Sequence, residues 1–344
     1  MKKKLFILIV LAALVLIGSV VWAGGRGDTR ADGRPIVIRV NHGAPSGAIM
    51  SVVAHTFKEE VERRSNGEIY VQLFFGHQLG VATQNIPLIN RGAFEMSFGG
   101  ATFIQEFMPE LGVLNMGYIY CCFYHADAFL NGPSGRELFQ HIGRTTGWLP
   151  LTAYYFGARH VAIRIDRPIR TPDDLRDLRI RTNGTDPMNF LVRAMGGNPV
   201  GIAISEMYTA IQTGTVDGQE NPVNAVVDHR IYEVSRSLTK TGHWIDFTWY
   251  GIGYRFFNSL SPRHQEIIRE SAIVAGQAQS AHAREMEQRN FDHIRARGMV
   301  IHDVDTSAIR NAVLYAYQEK FITDNWDREV FNIIQRYRER CTNC

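Results

Sequence analysis

After its first two dozen residues the chain contains no apolar run approaching the roughly 20 residues that a bilayer-spanning helix needs, so no later segment reads as transmembrane. It has no Lys/Arg-rich patch interleaved with aromatics, the electrostatic footprint of a nucleic-acid binder. The formal charge of +3 is matched by Lys2, Lys3 and Lys4 alone, and without them the chain is close to neutral. Its 12 histidines are scattered, with no His-Glu-x-x-His and no pairing that reads as a metal cage. Gly132-Pro133-Ser134-Gly135 is not the Gly-x-Ser-x-Gly turn of a nucleophilic serine. The Asp and Glu residues at helix starts read as caps. No enzyme, metal or cofactor is expected, and a periplasmic hydrolase stands as the alternative of a different class. Internal repeats and low-complexity stretches are also missing.

Cysteine is scarce, with four residues in 344. Cys121 and Cys122 lie in an aromatic-rich run and read as buried free thiols, because a bond between neighbours would be strained. Cys341 and Cys344 close the chain, without the following helix that a redox motif requires. They read as a local disulfide or two exposed thiols.

What the chain does have is a lysine-led start, an apolar stretch over 5–21 and a Val21-Trp22-Ala23 site before Gly24. This layout predicts a secretory signal peptide over 1–23, cleaved after Ala23, and an exported, periplasmic protein. The alternative is a retained anchor, since about 17 apolar residues is the lower limit for spanning. Residues 24–34, rich in Gly, Arg and Asp, read as a linker. The length fits two domains.

The pattern from residue 35 alternates strand and helix. A strand is predicted over 37–41 and a helix through Val53, Phe57 and Val61, stopped at Ser65-Asn66-Gly67. A second strand begins at Ile69, a short helix covers 85–91, and a third strand starts at Phe94. This order predicts a mainly parallel sheet. A second run gives a strand over 160–165, a helical turn at 173–178, extended chain at Ile180-Arg181 and a helix over 188–195. Ser205 is expected to cap a helix over 206–213, and a strand follows at 216–219. Ser261-Pro262 opens the longest helical pattern, reaching about residue 297. At 1.5 Å per residue it spans about 50 Å, enough to pack on two lobes, with a kink expected near Gly276. A strand over 299–302 and helices near 306–321 and 325–339 complete the fold. The expected architecture is α/β and two-lobed. Lobe I takes residues 35–156 plus about 247–286, and lobe II takes 157–246 plus about 287–344. Ligands in open α/β sheets sit beyond the carboxyl ends of strands, here facing the gap between the lobes.

Three residues stand out as anion-holding groups. Arg181 ends a short strand, and its planar fork suits a carboxylate; it also fits a surface arginine paired with Asp173, Asp174 or Asp177. Arg159 follows a Gly-Ala turn. Asn221 precedes Pro222, which favours extended backbone; it suits either a ligand contact or a turn.

These residues sit in Gly157-Ala158-Arg159, in the run Pro172 to Arg181 and in the run Glu206 to Pro222, which ends Val-Asp-Gly-Gln-Glu-Asn-Pro. This segment resembles the substrate-binding proteins of tripartite ATP-independent periplasmic (TRAP) transporters. The similarity extends to Gln78-Leu79-Gly80 and Leu260-Ser261-Pro262, covering roughly 35–340. The resemblance implies a periplasmic-binding-protein-like fold that closes over an organic acid and docks on a two-part, sodium-driven membrane permease. It matches Arg181 to the carboxylate clamp, Arg159 to a supporting arginine, Asn221 to a ligand-contacting amide and Asn41 to a first-lobe contact. A tetratricopeptide-repeat periplasmic partner occurs in some such systems.

Departures from the family pattern narrow the cargo. Ile204 stands where an aromatic is frequent, Asn183 where proline is common, and Gly99-Gly100 and Val81-Ala82 where sugar-acid binders carry polar or acidic groups. Ile204, Asn183 and Gly100 are therefore expected on the site wall. A first-lobe wall short of hydrogen-bonding groups predicts a monocarboxylate with an apolar tail rather than a sialic or sugar acid. If the N-terminal segment is retained, a ligand-sensing ectodomain is the rival reading.

Overall fold

The computed structural model describes residues 35–339, so the expected signal peptide, the linker, Cys341 and Cys344 lie outside the described residues. No helix among the described residues is long and apolar enough to cross a membrane.

Nine strands form one sheet: β1 (Ile36–Asn41), β2 (Ile69–Phe74), β3 (Met96–Gly99), β4 (Trp148–Ile163), β5 (Arg179–Thr182), β6 (Asn198–Gly201), β7 (Gly218–Pro222), β8 (Ser237–Gly253) and β9 (Val300–His302). Their order is β2-β1-β3-β8-β4-β7-β5-β6, with β9 added beside the start of β8. The two ends of the sheet are parallel, as the strand–helix alternation predicts. The centre is not. There β4 and β8 run antiparallel along their whole length, and β8 and β4 make antiparallel edges with β3 and β7. The expectation of a mainly parallel sheet is corrected to a mixed one.

The central strands explain the correction. Only the end of β4 was expected, as the strand over 160–165; β4 also runs through Pro150 and Gly157. Both are absorbed by register shifts, between Pro150 and Thr152 and between Tyr155 and Gly157. A bulge lets a long strand bend without ending. β4 and β8 thereby run as the two long central strands of the sheet.

Helix Val52–Arg64 ends as expected, with Asn66 and Gly67 both at positive φ. Ser205 caps nothing: it lies inside the 3-10 turn Ile204–Glu206, and the following helix Met207–Gln212 starts behind Glu206. The long helix Pro262–Ala296 starts where predicted, the Ser261 hydroxyl accepting a bond from the His264 N–H. Its first half packs Ile268, Ala272 and Ala275 on Val53 and Phe57. Its second half packs Phe291 and Ile294 on Val223 and Val226. One helix therefore serves both lobes. Gly276 lies where a Cβ would meet the Thr152 hydroxyl at 2.5 Å, so glycine lets the helix approach β4. The helix also holds β4 itself: Ser280 accepts from the Tyr155 N–H, and Asn224 ties the carbonyls of Phe156 and Ala283 together.

The last helix, Arg328–Glu339, rests against Phe123–Leu130 and the turn Pro109–Asn115, with the Ile334 carbonyl bonded to His125. Cys122 is disulfide-bonded, which corrects the expectation of free thiols at that position, and both Cys121 and Cys122 are half-buried.

Candidate functional site

Sheet register brings the second-lobe residues together. Arg159 on β4 faces Pro222 on β7, Val161 faces Glu220, and Gln219 of β7 lies beside Arg181 on β5. On the other side of β4, Gly157 pairs with Asp246 of β8. Four adjacent strands thus place Arg159, Arg181, Asn221 and Asp246 on the wall of a cavity of about 350 Å³, with Glu220 buried behind Arg159.

The two arginines differ in kind. Arg159 is fully committed to protein. Its Nε and Nη2 donate to the two Glu220 oxygens at 2.6 and 2.8 Å, its Nη1 to Asp246 at 2.5 Å and its Nη2 to the Asn221 side-chain oxygen at 3.0 Å. Burial opposes its charge, but Glu220 and Asp246 outweigh burial and hold it above the usual arginine range. Glu220 in turn is held below the usual carboxylate range by Arg159 and by His243, 3.2 Å away, against the effect of burial. Asp246 is pushed up, burial prevailing over Arg159.

Arg181 is 2% exposed, yet it has no ion-pair partner among the described residues. Its Nε donates to the Ile202 carbonyl at 2.8 Å. Burial, with Arg159 nearby, pushes it down to about 10, and Glu220 opposes this only in part. The surface alternative, pairing with Asp173, Asp174 or Asp177, does not occur. The exposed neighbour Arg179 makes the surface pair instead, with Asp217. A buried guanidinium without a counter-ion is costly, and an incoming anion relieves that cost.

The other expected residues divide. Asn183, Ile204 and Gly100 wall the cavity, with Arg159, Arg181 and Asn221. The Asn183 side-chain oxygen is already taken by Thr185, and Asn221 donates to Gln219 at 2.6 Å. Asn41 is fully buried but does not wall the cavity. Its amide bonds the Gly80 carbonyl and Asn85, and its oxygen accepts from the Leu79 N–H, so it anchors the Gln78-Leu79-Gly80 turn. The side chain that reaches the cavity is the next one, His42.

Sequence reasoning missed the acids around Arg159 and the histidines of the cavity. Glu220 was in plain view inside Gln-Glu-Asn-Pro, and Asp246 is the one acid of β8. His42, His77 and His229 carried no spacing signal, because they come from three separate segments. Thr83 and Thr102 also wall the cavity, so the first-lobe side is less bare than expected. Among the described residues no group of three or more His, Cys, Asp or Glu is placed to hold a metal ion.

The family model for bacterial extracellular solute-binding proteins, family 7 (DctP), matches residues 40–324. The chain belongs to that family. It is a family of solute receptors, not of enzymes. A solute-binding protein of Verminephrobacter eiseniae is 29% identical over 77% of this chain and 79% of its own length. The 2,3-diketo-L-gulonate-binding periplasmic protein of Escherichia coli is 29% identical over 79% of this chain and 83% of its own. Among solved structures, a TRAP periplasmic solute-binding protein of Roseobacter denitrificans with bound 3-deoxy-D-manno-oct-2-ulosonic acid superposes with a TM-score of 0.83. It is 31% identical and covers 88% of this chain and 99% of its own. Another, from Polaromonas and bound to D-erythronate, has a TM-score of 0.81 and 25% identity, covering 87% and 98%.

Proposed function

We propose that this protein captures a small organic acid between its lobes, seats the carboxylate on Arg181, and delivers it to the membrane subunits of a sodium-driven TRAP permease. The observation that carries the reading is the buried Arg181 with its fork uncompensated, on the wall of a cavity sized for a small ligand. The permease, and the tetratricopeptide-repeat protein found in some such systems, come from the family resemblance alone.

The proposed cargo carries one carboxylate. Arg159 is neutralised by Glu220 and Asp246, which leaves Arg181 alone to meet a charge. The body of the acid lies against Phe98, Trp244 and Phe247, with Val81, Ala82 and Gly100 beside them. That apolar lining supports the expected apolar tail. The two relatives with acids bound, and the diketo-gulonate binder, argue for hydroxyls on it instead.

Binding would act through closure. A ligand held by both lobes stabilises the closed state by its differential affinity. We place the hinge at the register shift of β4 between Tyr155 and Gly157, close to the proposed lobe boundary at 156/157.

Calorimetry with Arg181→Ala tests the reading. One lost charge-assisted bond is worth about 1.5–3 kcal/mol, so affinity for any acid that binds the wild type should fall by tens-fold or more. Arg181→Lys should recover only part, because the planar fork is lost. Unchanged affinity in a folded Arg181→Ala protein defeats the clamp.

A further inference from the structure

The first-lobe side of the cavity holds two imidazoles without hydrogen-bond partners. His42, just after β1, is 1% exposed, walls the cavity, and neither of its ring nitrogens has a partner. The ring approaches the Met50 backbone without reaching hydrogen-bonding geometry. His77 walls the same cavity, and its Nδ1 is buried and unpaired.

Both rings are placed by packing and backbone, not by their own nitrogens. His42 meets the edges of Phe75 and Phe98 at centroid distances of 5.8 Å, and His77 lies 5.7 Å from Phe98. The His77 backbone sits at φ 64, a left-handed conformation uncommon outside glycine. Its N–H donates to the His42 carbonyl at 3.2 Å, and its carbonyl accepts from the Gly80 N–H at 3.0 Å. A Cβ on Gly43 would stand 2.8 Å from the His77 ring and 2.7 Å from Phe98, so glycine makes room for both rings. Buried polar atoms almost always find partners, and an imidazole locked in place with none is shaped for a partner that arrives later.

We propose that His42 and His77 are specificity residues that bond uncharged hydroxyl groups on the part of the acid facing the first lobe, so that the site selects hydroxylated monocarboxylates over bare-chain ones. The inference rests on the carboxylate reading above. The chemistry follows from the rings' charge state. Burial, with His77 and His55 nearby, pushes His42 down to about 4, and burial lowers His77 as well. At neutral pH each ring is neutral, with one N–H donor and one acceptor nitrogen. A hydroxyl both donates and accepts and can match either nitrogen. A second carboxylate only accepts and would leave the acceptor nitrogens unpaired. An alkyl tail would leave every nitrogen unpaired in a closed site, the situation in which a binding site most strongly rejects an analogue.

The test is calorimetry on the full-length, dialysed protein with matched acids: butyrate against D-erythronate, and hexanoate against D-gluconate. The hydroxylated member of at least one pair should bind about tenfold tighter or more. His42→Phe, which keeps the ring packing, should bring that pair to within about threefold, and His42→Gln, which keeps a donor and an acceptor, should restore part of the preference. Bare acids binding as tightly as hydroxylated ones overturn the inference, as does a preference that survives in a folded His42→Phe protein. Arg181→Ala, run beside them, separates the failures. Binding that is lost in Arg181→Ala while the wild type shows no preference sinks the histidine reading alone. Binding that persists in Arg181→Ala sinks the carboxylate reading, and no binding by any of the four acids sinks both.

Discussion

The two walls of the cavity are built on opposite principles. On the second-lobe wall nearly every charge is answered within the protein. Arg159 is spoken for by Glu220, Asp246 and Asn221, and Glu220 also by His243, with Arg181 the exception. On the first-lobe wall the two imidazoles, His42 and His77, are held by aromatic packing and backbone and carry unpaired buried nitrogens. In the proposed function, the paired charges on adjacent strands would fix where an anion sits before any ligand arrives, a preorganisation open to receptors of many acids. The unpaired neutral rings would recognise what else the acid carries. On that proposal, one lobe carries affinity for the carboxylate and the other discrimination among tails.

The largest effect that would sharpen this contrast lies on the paired wall. Glu220 is wholly buried and holds Arg159 by two bonds. Glu220→Ala leaves Arg159 with Asp246 as its one remaining ion-pair partner among the described residues and should cost about 3–5 kcal/mol, the usual range for breaking a buried ion pair from one side. Urea unfolding monitored by circular dichroism measures it. A loss below 1 kcal/mol, on the scale of a surface pair, would mean that the cluster is not the scaffold of the wall.

The paired wall was also the legible one. Arg159, Arg181 and Asn221 lie in a continuous run of sequence with turn glycines, short strands and an Asn-Pro step, features that local chemistry makes visible. The outer helices and β1 and β2 were legible for the same reason, since periodicity is a local signal. What failed was non-local. β4 runs through Pro150 and Gly157, residues that weaken a strand on local chemistry alone, because register shifts in the sheet pairing accommodate them. β8 carried no clear pattern, because both its faces are buried for most of its length. His42 and His77 are 35 residues apart, and a backbone hydrogen bond between them and a shared contact with Phe98 bring them together. Asn41, expected as a first-lobe contact, anchors the Gln78-Leu79-Gly80 turn, and the residue that walls the cavity is its neighbour His42, just past the end of β1.

A smaller effect tests how the walls meet. Asp228, at the end of the second-lobe helix Val223–Asp228, accepts from the Ile49 N–H of the first lobe at 3.1 Å, and its other oxygen is buried. Burial pushes its carboxyl up to about 6, against the backbone N–H groups of Ile49 and Met50. A carboxyl with a raised pKa favours the folded form when protonated. Its contribution is fully present below the unfolded value near 4 and is lost as pH rises through about 6. Asp228→Asn keeps an acceptor for Ile49 without the charge. At pH 7 it should raise stability by on the order of 1–2 kcal/mol, the full shift being discounted for partial solvent screening, and the gain should vanish near pH 4. Thermal melts of both proteins from pH 4 to 8 decide it. A gain independent of pH would place its origin elsewhere.

The smallest expected effect probes the unpaired wall without touching an imidazole. At Gly43 the backbone conformation admits alanine, but the new methyl would press on the His77 ring at 2.8 Å and on Phe98 at 2.7 Å. These are the ends of side chains, not backbone, so the rings can yield. Gly43→Ala should therefore cost no more than about 1 kcal/mol of stability, toward the mild end for overpacking. The rings would move together with the hydrogen-bonding positions that they define. The affinity ratio between D-gluconate and hexanoate should shrink by more than the unfolding free energy suggests, while the Arg181 end of the site, on the other lobe, keeps its geometry. If the ratio and the stability change in proportion, the first-lobe rings are merely packing, and the division of labour between the two walls fails.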